Sequence, residues 1–238
     1  MVTVITSIAN LRLLEETKNK IKQEANAGAY EVNSFLLNQM AFVNGIKNTL
    51  VASDGVITKD NIRSILKGYE AQKDDSVIDI YVGYPDKTLY TAGTDDEDLG
   101  DYDCTTRDWY KQAVEQGKLI VTDPYNDSMG SGMTTTIATP VYNKDGELEF
   151  VLAEDVKIQA ISDVISDLQE PDGTYAYLVD IDNNYIAHKN DAFKPTDAGS
   201  TAVDDTISKV YTDGKIEKVK DYTGKKVFIA TENVVSTG

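Results

Sequence analysis

The first fifty residues carry a helical pattern of hydrophobic positions. Apolar residues recur at intervals of three or four, at Ile21, Ala25, Ala29, Val32, Leu36, Met40, Val43, Ile46 and Leu50. This spacing places them on one face of a helix. Gly28 and Gly45 each cost about 1 kcal/mol relative to alanine and do not interrupt the helix. The pattern therefore predicts a helix over residues 8–50 that is about 65 Å long.

Beyond residue 52 the pattern is that of a module that combines helices with antiparallel strands. Ser, Asp and Gly at 53–55 end the first helix, and β-branched and aromatic runs then alternate with turn residues. The predicted elements are a helix at 60–73, a hairpin of 77–84 and 88–92, a short helix at 107–116 and a hairpin of 133–142 and 147–156. Residues 122–132 have no periodic pattern and are predicted to form a loop. This order predicts an antiparallel sheet with helices packed on it, which is an α+β fold.

A second, smaller module of similar plan is predicted after residue 157. A stripe of apolar residues predicts a helix at 158–168, which Pro171 and Gly173 end. Further elements are expected as strands at 174–180 and 185–188, a short helix near 204–211 and a last strand at 227–235. The helix at 158–168 is predicted to connect the two modules.

Composition and charge narrow the functions that these modules could have. The chain has 238 residues and a net charge of −17, so its surface repels phosphate backbones and anionic lipids, which argues against a nucleic-acid partner. Cys104 is the only cysteine and His188 the only histidine, which excludes an intrachain disulfide, a thiolate zinc cluster and an HExxH motif. The acidic run at 95–98 is typical of a solvated loop. We therefore expect no metal and no cofactor.

The sequence contains no stretch that could serve as a membrane span or a signal peptide. A span needs about 18 apolar residues, and the chain has no run of that kind and no basic segment before its short apolar start. The chain begins within a helix-like pattern and stops just after a strand-like one. We therefore expect it to be a piece of a larger, membrane-anchored protein.

The most distinctive residues lie between the two predicted hairpins and on the second one. Arg-Asp-Trp-Tyr at 107–110 is followed by Asp-Pro-Tyr-Asn-Asp at 123–127 and by Ala-Glu-Asp-Val at 153–156. In combination these motifs resemble the double Cache (dCache) family, which are extracytoplasmic sensor domains of chemotaxis receptors, histidine kinases and diguanylate cyclases. The resemblance implies a long N-terminal helix and two PAS-like modules. It divides the chain into the N-terminal helix at 1–50, a membrane-distal ligand-binding module at 51–157, and a linking helix with a smaller membrane-proximal module at 158–238.

The resemblance extends to a subgroup of the family that binds free amino acids. The positions of its motif are all filled here by the expected residue types, which are Tyr102, Arg107, Trp109, Tyr110, Tyr125, Asp127 and Asp155. What it implies is a chemotaxis receptor domain without enzymatic activity that binds an L-amino acid. The full-length protein would be anchored in the cell membrane with this domain outside the cytoplasm, and it would form a homodimer through the N-terminal helix. The smaller module is expected to carry no ligand.

The chemistry of these residue types agrees with that expectation. An amino acid at pH 7 presents a carboxylate and an ammonium group on one carbon. The guanidinium of Arg107 offers two parallel donors that fit a carboxylate, and the indole N–H of Trp109 can add a third. The carboxylates of Asp127 and Asp155 can accept from an ammonium group, and tyrosine rings favour a cation on their faces.

Other interpretations of the same residues stay open at this point. Arg107 could form a surface ion pair with Asp103 or Asp108, and Trp109 could be a core residue. Alternation along the strand does not decide which face Asp155 occupies, because both faces carry an apolar and an acidic residue. The fold could instead sense an organic acid or an amine for a histidine kinase or a diguanylate cyclase. A secreted acidic hydrolase with Asp127 and Asp155 as its carboxylate pair is a further alternative.

Overall fold

A computed structural model of the chain describes residues 2–52, 58–92, 102–128, 130–166, 174–180, 182–196, 199–205, 207–209 and 217–234. The break predicted at 53–55, the acidic run at 95–98 and the helix end at 171–173 lie outside these ranges. The chain divides into two compact units. The first, which we call the sheet unit, comprises Phe35–Ile161 with Thr196–Gly199 and Ser236–Gly238. The second, which we call the aromatic unit, comprises Met1–Ser34, Ser162–Pro195 and Ser200–Val235.

The long N-terminal helix is confirmed. Helix α1 covers Val2–Ala52 and extends past both predicted ends. The residues of its predicted apolar face that are buried are Val32, Leu36, Val43, Ile46 and Leu50. A helix of this length is stable because that face is covered along several turns, and its glycines are tolerated for the same reason. Among the helices that the structure describes, none combines the length and the apolar character needed to cross a bilayer.

The sheet unit contains one antiparallel sheet. Its helices include the last third of α1, from Phe35 to Ala52, α2 (Lys59–Glu70) and α3 (Asp108–Gln116). Its strands are β1 (Val77–Gly83), β2 (Leu89–Thr91), β3 (Ile120–Val121), β4 (Tyr125–Asn126), β5 (Met133–Tyr142) and β6 (Leu148–Lys157). The strand order is β2-β1-β6-β5-β3, and β4 also pairs with β5. Both predicted hairpins are confirmed, as β1–β2 and β5–β6.

Alternation along the central strands separates two hydrophobic cores. Leu152 on β6 and Ile137 on β5 belong to the cluster that includes residues of α1 and α2. Ala153 on β6 and Ala138 on β5 belong to the other cluster, with Trp109 of α3. Successive strand residues point to opposite faces, so both faces of β5 and β6 are buried, which explains their nearly continuous burial. Asp155 shares the second face with Ala153.

The aromatic unit contains two short hairpins and a cluster of rings. It includes most of α4 (Ile158–Ser166) and the strands β7 (Leu178–Val179), β8 (Tyr185–Ala187), β9 (Glu217–Lys220) and β10 (Lys226–Ile229). His188 is buried, and its ring centroid lies 5.0–5.6 Å from five aromatic rings, those of Tyr175, Tyr177, Tyr185, Phe193 and Tyr222. Its Nδ1 accepts a hydrogen bond from the backbone N–H of Asn190. Burial lowers its pKa, so His188 packs as a neutral ring.

Several short elements differ from the predictions. The loop predicted at 122–132 contains strand β4, and strand β9 was not predicted. The strand predicted at 174–180 is reduced to β7, and the last strand is β10, which ends at Ile229 instead of 235. The strands concerned have two or four residues and are defined by pairing with a neighbour, so alternation within the segment is too short to reveal them.

Candidate ligand-binding site

Asp155 lies at the centre of the sheet, on the face that packs against α3. In the register of the sheet it stands opposite Thr136 on β5 and Asp79 on β1. The residue is only 7% exposed. Its Oδ1 accepts hydrogen bonds from the hydroxyl of Tyr81 at 2.7 Å, from Oγ1 of Thr136 at 2.6 Å and from the hydroxyl of Tyr125 at 3.5 Å. Within the described ranges no hydrogen bond reaches its Oδ2.

The environment of Asp155 brings its protonation equilibrium close to neutral pH. Burial raises the pKa of its carboxyl to about 6, although the hydrogen bonds from Thr136 and Tyr81 lower that pKa. The negative charges of Asp127 and Asp79 raise the pKa further. A cationic group placed at Oδ2 would reverse this effect, because it would favour the ionised carboxylate.

Tyr125 and Asp127 reach the site from β4 and the loop after it. Strand β4 pairs with β5, and the hydroxyl of Tyr125 lies 2.5 Å from Oγ1 of Thr136. The loop folds back because the backbone N–H of Asp127 donates to the carbonyl of Gly132, while Oδ2 of Asp127 accepts from the backbone N–H of Ser131. Asp127 is half-buried. Its charge acts on Asp155, so both carboxyl groups belong to one electrostatic site.

The start of α3 supplies the basic and aromatic residues. Arg107 has an extended backbone at the N-cap position, which lets the chain turn from the short 3-10 helix Cys104–Thr106 into α3. Its guanidinium carbon lies 5.6 Å from the centroid of the Tyr102 ring. Burial raises the pKa of Tyr102, whereas the charge of Arg107 and a hydrogen bond with Trp109 lower it. Tyr102, Arg107 and Trp109 are therefore neighbours.

The surface ion pair considered for Arg107 is not present in the described structure. Asp103 instead pairs with Lys87, at 2.7 Å, and accepts from the N–H of Thr105. Asp108 is exposed in the first turn of α3, and within the described ranges neither acid forms an ion pair with Arg107. The guanidinium retains donors for an anion from outside the chain.

Trp109 and Tyr110 form the aromatic wall between α3 and the sheet. Both are buried, and the Trp109 ring lies edge-on to Tyr81 at 5.1 Å and to Tyr110 at 5.6 Å. Burial raises the pKa of Tyr110 to about 12. Trp109 is thus a core residue, as one interpretation held, and through Tyr81 it also borders the Asp155 site.

Gly83 at the end of β1 makes room for this wall. A Cβ atom on Gly83 would lie 2.7 Å from a ring carbon of Trp109 and 3.1 Å from Sγ of Cys104. Only glycine allows so close an approach. Cys104 itself is fully buried, and its thiol donates to the carbonyls of Tyr84 and Thr88. Burial raises the pKa of this thiol to about 11.

The structure therefore gathers the candidate residues into two adjoining groups. Asp155, Tyr125 and Asp127 form the acidic group on the sheet. Tyr102, Arg107, Trp109 and Tyr110 form the basic and aromatic group at the start of α3. The contact between Tyr81 and Trp109 joins them. Within the described ranges no cluster of three or more His, Cys, Asp or Glu is arranged to hold a metal ion.

Tyr81 and Thr136 make the two shortest hydrogen bonds to Asp155 and were not among the residues predicted for the site. A signal for Tyr81 was present, because Asp79, Tyr81 and Gly83 alternate on one face of a strand that is otherwise apolar. Thr136 lies in a run of threonines and had no such signal. Its position opposite Asp155 follows only from the register of β5 and β6.

The chain combines an α+β fold and a long N-terminal helix with a polar site between a helix and an antiparallel sheet. The chain belongs to the Cache domain family, because the dCache_1 family model matches residues 5–238. Methyl-accepting chemotaxis protein McpC of Bacillus subtilis is 29% identical over 159 residues, which is 66% of this chain and 23% of that protein. PctB of Pseudomonas aeruginosa is 23% identical over 182 residues, 76% of this chain and 28% of its own length. The chain thus spans about a quarter of these relatives.

Solved structures show the same fold. The ligand-binding domain of the P. aeruginosa amino acid chemoreceptor PctC, in complex with GABA, matches with a TM-score of 0.64 and 26% identity over 74% of this chain and 78% of that one. The PctB domain in complex with L-Arg matches with a TM-score of 0.73 and 20% identity over 94% and 91% of the two chains. The domain of Pseudomonas fluorescens CtaA with L-isoleucine has a TM-score of 0.74 and 17% identity, over 92% and 86%. These matches confirm the predicted fold class, and the family model confirms the predicted family.

Proposed function

We propose that this chain is the extracytoplasmic ligand-binding domain of a chemotaxis receptor and that it binds a free L-amino acid without transforming it. The observation that carries the proposal is that the charges of a guanidinium, Arg107, and of a buried carboxyl group, Asp155, both act on the hydroxyl of Tyr102. An amino acid is the small molecule whose two charged groups match these two residues. The chemoreceptor relatives and the amino-acid complexes among the similar structures support the same choice.

Each site residue has a defined role in this proposal. Arg107 binds the ligand carboxylate with two parallel N–H donors, and the indole N–H of Trp109 adds a donor when the carboxylate displaces its hydrogen bond with Tyr102. Oδ2 of Asp155 accepts from the ammonium group, with Asp127 as a second anion. The rings of Tyr102, Tyr110 and Tyr125 exclude water, which strengthens each of these bonds. The ligand lies in the module of residues 51–157, and the smaller module at 158–238 carries none.

Anchoring and assembly belong to the same proposal. The full-length protein is held in the cell membrane by segments outside this sequence and forms a homodimer through α1. Helix α1 has three exposed apolar residues, which are Tyr30 (68% exposed), Leu37 (47%) and Val51 (54%). Together with Asn44, which is also exposed, they recur every seven residues. This row supplies one of the two heptad positions through which a helix packs against a second helix.

The dimer is tested by measuring molar mass in solution with light scattering. Leu37→Glu places a charge in this row and should convert a dimer into a monomer. Tyr142→Glu, at a 42% exposed position outside α1, is the matched control and should remain dimeric. A monomeric wild-type domain at high micromolar concentration would contradict this part of the proposal.

The ligand is tested by a thermal-shift screen of refolded protein, so that a copurified ligand is removed first. An amino acid at 100 times its dissociation constant stabilises the folded state by about 2.7 kcal/mol, which raises the melting temperature by a few degrees. The same screen includes carboxylic acids and amines. If these shift the transition and none of the twenty L-amino acids does, the domain senses another class of ligand. A ligand recovered chemically changed after incubation would indicate an enzyme instead.

A further inference from the structure

Two hydroxyl groups hold Asp155 from both neighbouring strands. Thr136 on β5 stands directly opposite Asp155, and Tyr81 on β1 is opposite Ala153, one position along the same face of the sheet. Tyr81 is 5% exposed and Thr136 is fully buried. Both donate to the same oxygen, Oδ1, at 2.7 and 2.6 Å. Since the three residues lie on paired strands, the backbone itself sets the distances between them.

We propose that Tyr81 and Thr136 are positioning residues for ligand recognition, which act through Asp155 by binding its Oδ1 and leaving Oδ2 to the ammonium group of the amino acid. The inference rests on the proposed function. A carboxylate that could rotate would divide its acceptor capacity between the hydroxyls and the ligand. With Oδ1 fixed, Oδ2 is already oriented before the ligand arrives, so less conformational entropy is lost on binding.

The hydroxyls of Tyr81 and Thr136 also influence whether Asp155 is ionised when the ligand binds. Their hydrogen bonds lower the pKa of Asp155, against the larger effect of burial, which raises it. The other titratable groups that act on Asp155 or border it are Asp79 on β1, Asp127 after β4, Tyr125 on β4, Tyr102 before α3 and Glu154, the preceding residue of β6. None of these is a cation. Loss of a donating hydroxyl therefore leaves Asp155 protonated to higher pH, and a protonated carboxyl binds an ammonium poorly.

The test compares Tyr81→Phe, Thr136→Val and Thr136→Ser with wild type by calorimetry between pH 5 and pH 8. The ligands are the amino acid with an uncharged side chain that binds wild type best and its des-amino carboxylic acid. Tyr84→Phe is the matched control, because Tyr84 is a buried tyrosine directly after β1 whose hydroxyl has no hydrogen-bond partner within the described ranges. Melting temperatures report whether each variant is folded.

We expect Tyr81→Phe and Thr136→Val each to weaken binding of the amino acid at pH 7 about tenfold or more. The pH below which affinity is lost should rise from about 6 in wild type by about one unit, the equivalent of that tenfold change. Thr136→Ser restores the hydroxyl and should restore affinity. Tyr84→Phe should change neither property. The des-amino acid has no ammonium group, so its affinity should change little in any variant.

The inference is overturned if folded Tyr81→Phe and Thr136→Val bind the amino acid as wild type does. It is also overturned if they weaken the amino acid and the des-amino acid equally at every pH, since that result indicates packing alone. A wild-type domain that binds no amino acid would instead refute the proposed function, and this inference with it.

Discussion

Glu154, the neighbour of Asp155 on β6, allows a prediction about stability that does not depend on any ligand. It faces the opposite core, where it stands between Ile80 and Ile137 in the register of the sheet. It is fully buried, and neither of its carboxyl oxygens has a hydrogen-bond partner within the described ranges. Burial raises its pKa to about 8, with the charges of Asp74 and Asp155 adding to the effect and that of Lys73 opposing it. The native protein therefore keeps this carboxyl protonated at neutral pH.

The sign and size of the effect on stability follow from the pKa of Glu154 in the unfolded chain and in the native state. An unfolded chain releases the proton near 4.5, whereas the native state retains it until about pH 8. Between these values the native state binds more protons, so the free energy of unfolding decreases as the pH rises, and it stays low above pH 8. The gap corresponds to about 5 kcal/mol at most. Glu154→Gln removes this titrating group. The difference in free energy of unfolding between the variant and wild type should therefore increase, in favour of the variant, by a few kcal/mol between pH 5 and pH 8.

Urea unfolding at pH 5, 6.5, 8 and 9 measures this difference, with the fluorescence of Trp109, the only tryptophan, reporting on the sheet unit. Glu147→Gln, at an exposed position just before β6, is the matched control for the exchange of a carboxylate for an amide. Both variants retain Asp155, so the difference between Glu154→Gln and wild type reports on Glu154 together with its interaction with Asp155. A Glu154→Gln difference that stays constant from pH 5 to pH 9 would refute the reasoning.

Three further predictions concern the site. Arg107→Ala should weaken amino-acid binding in calorimetry by about 2–5 kcal/mol, roughly 30- to several thousand-fold, and Arg107→Lys should recover only part because an ammonium lacks two parallel donors. Unchanged affinity in Arg107→Ala would rule out the carboxylate role. Asp155→Asn should weaken the amino acid far more than its des-amino analogue, and equal losses would make Asp155 structural. Gly83→Ala should lower the unfolding free energy by about 1–3 kcal/mol and reduce ligand affinity, because its methyl group collides with Trp109. An unchanged melting temperature would contradict that contact.

Most of the fold could be predicted because its elements have strong local signals. The apolar positions of α1 recur over many turns, and the hairpins β1–β2 and β5–β6 combine β-branched runs with turn residues. Strand β4 has two residues and is specified by its pairing with β5, so nothing local distinguished it from a loop.

The site was only partly predictable for a related reason. The resemblance to a family supplied seven residue positions, and the structure brings them together, but alternation could not decide which way Asp155 points. The pairing of β6 with β1 and β5 decides it, because Asp155 then shares a face with Tyr81 and Thr136. Long-range register of this kind is a property of the folded sheet and not of the segment around Asp155.

The burial of Cys104 has a practical consequence for spectroscopy. Its thiol is inaccessible, and with a pKa of about 11 only about one molecule in ten thousand carries the reactive thiolate at pH 7. A maleimide or a thiol-reactive nitroxide reagent should therefore not react with the native chain. A cysteine introduced at an exposed position of α1, such as Asn48→Cys, would be the single labelled site without removal of the native residue. In the proposed homodimer, the distance between the two labels would then report on how α1 responds when a ligand binds.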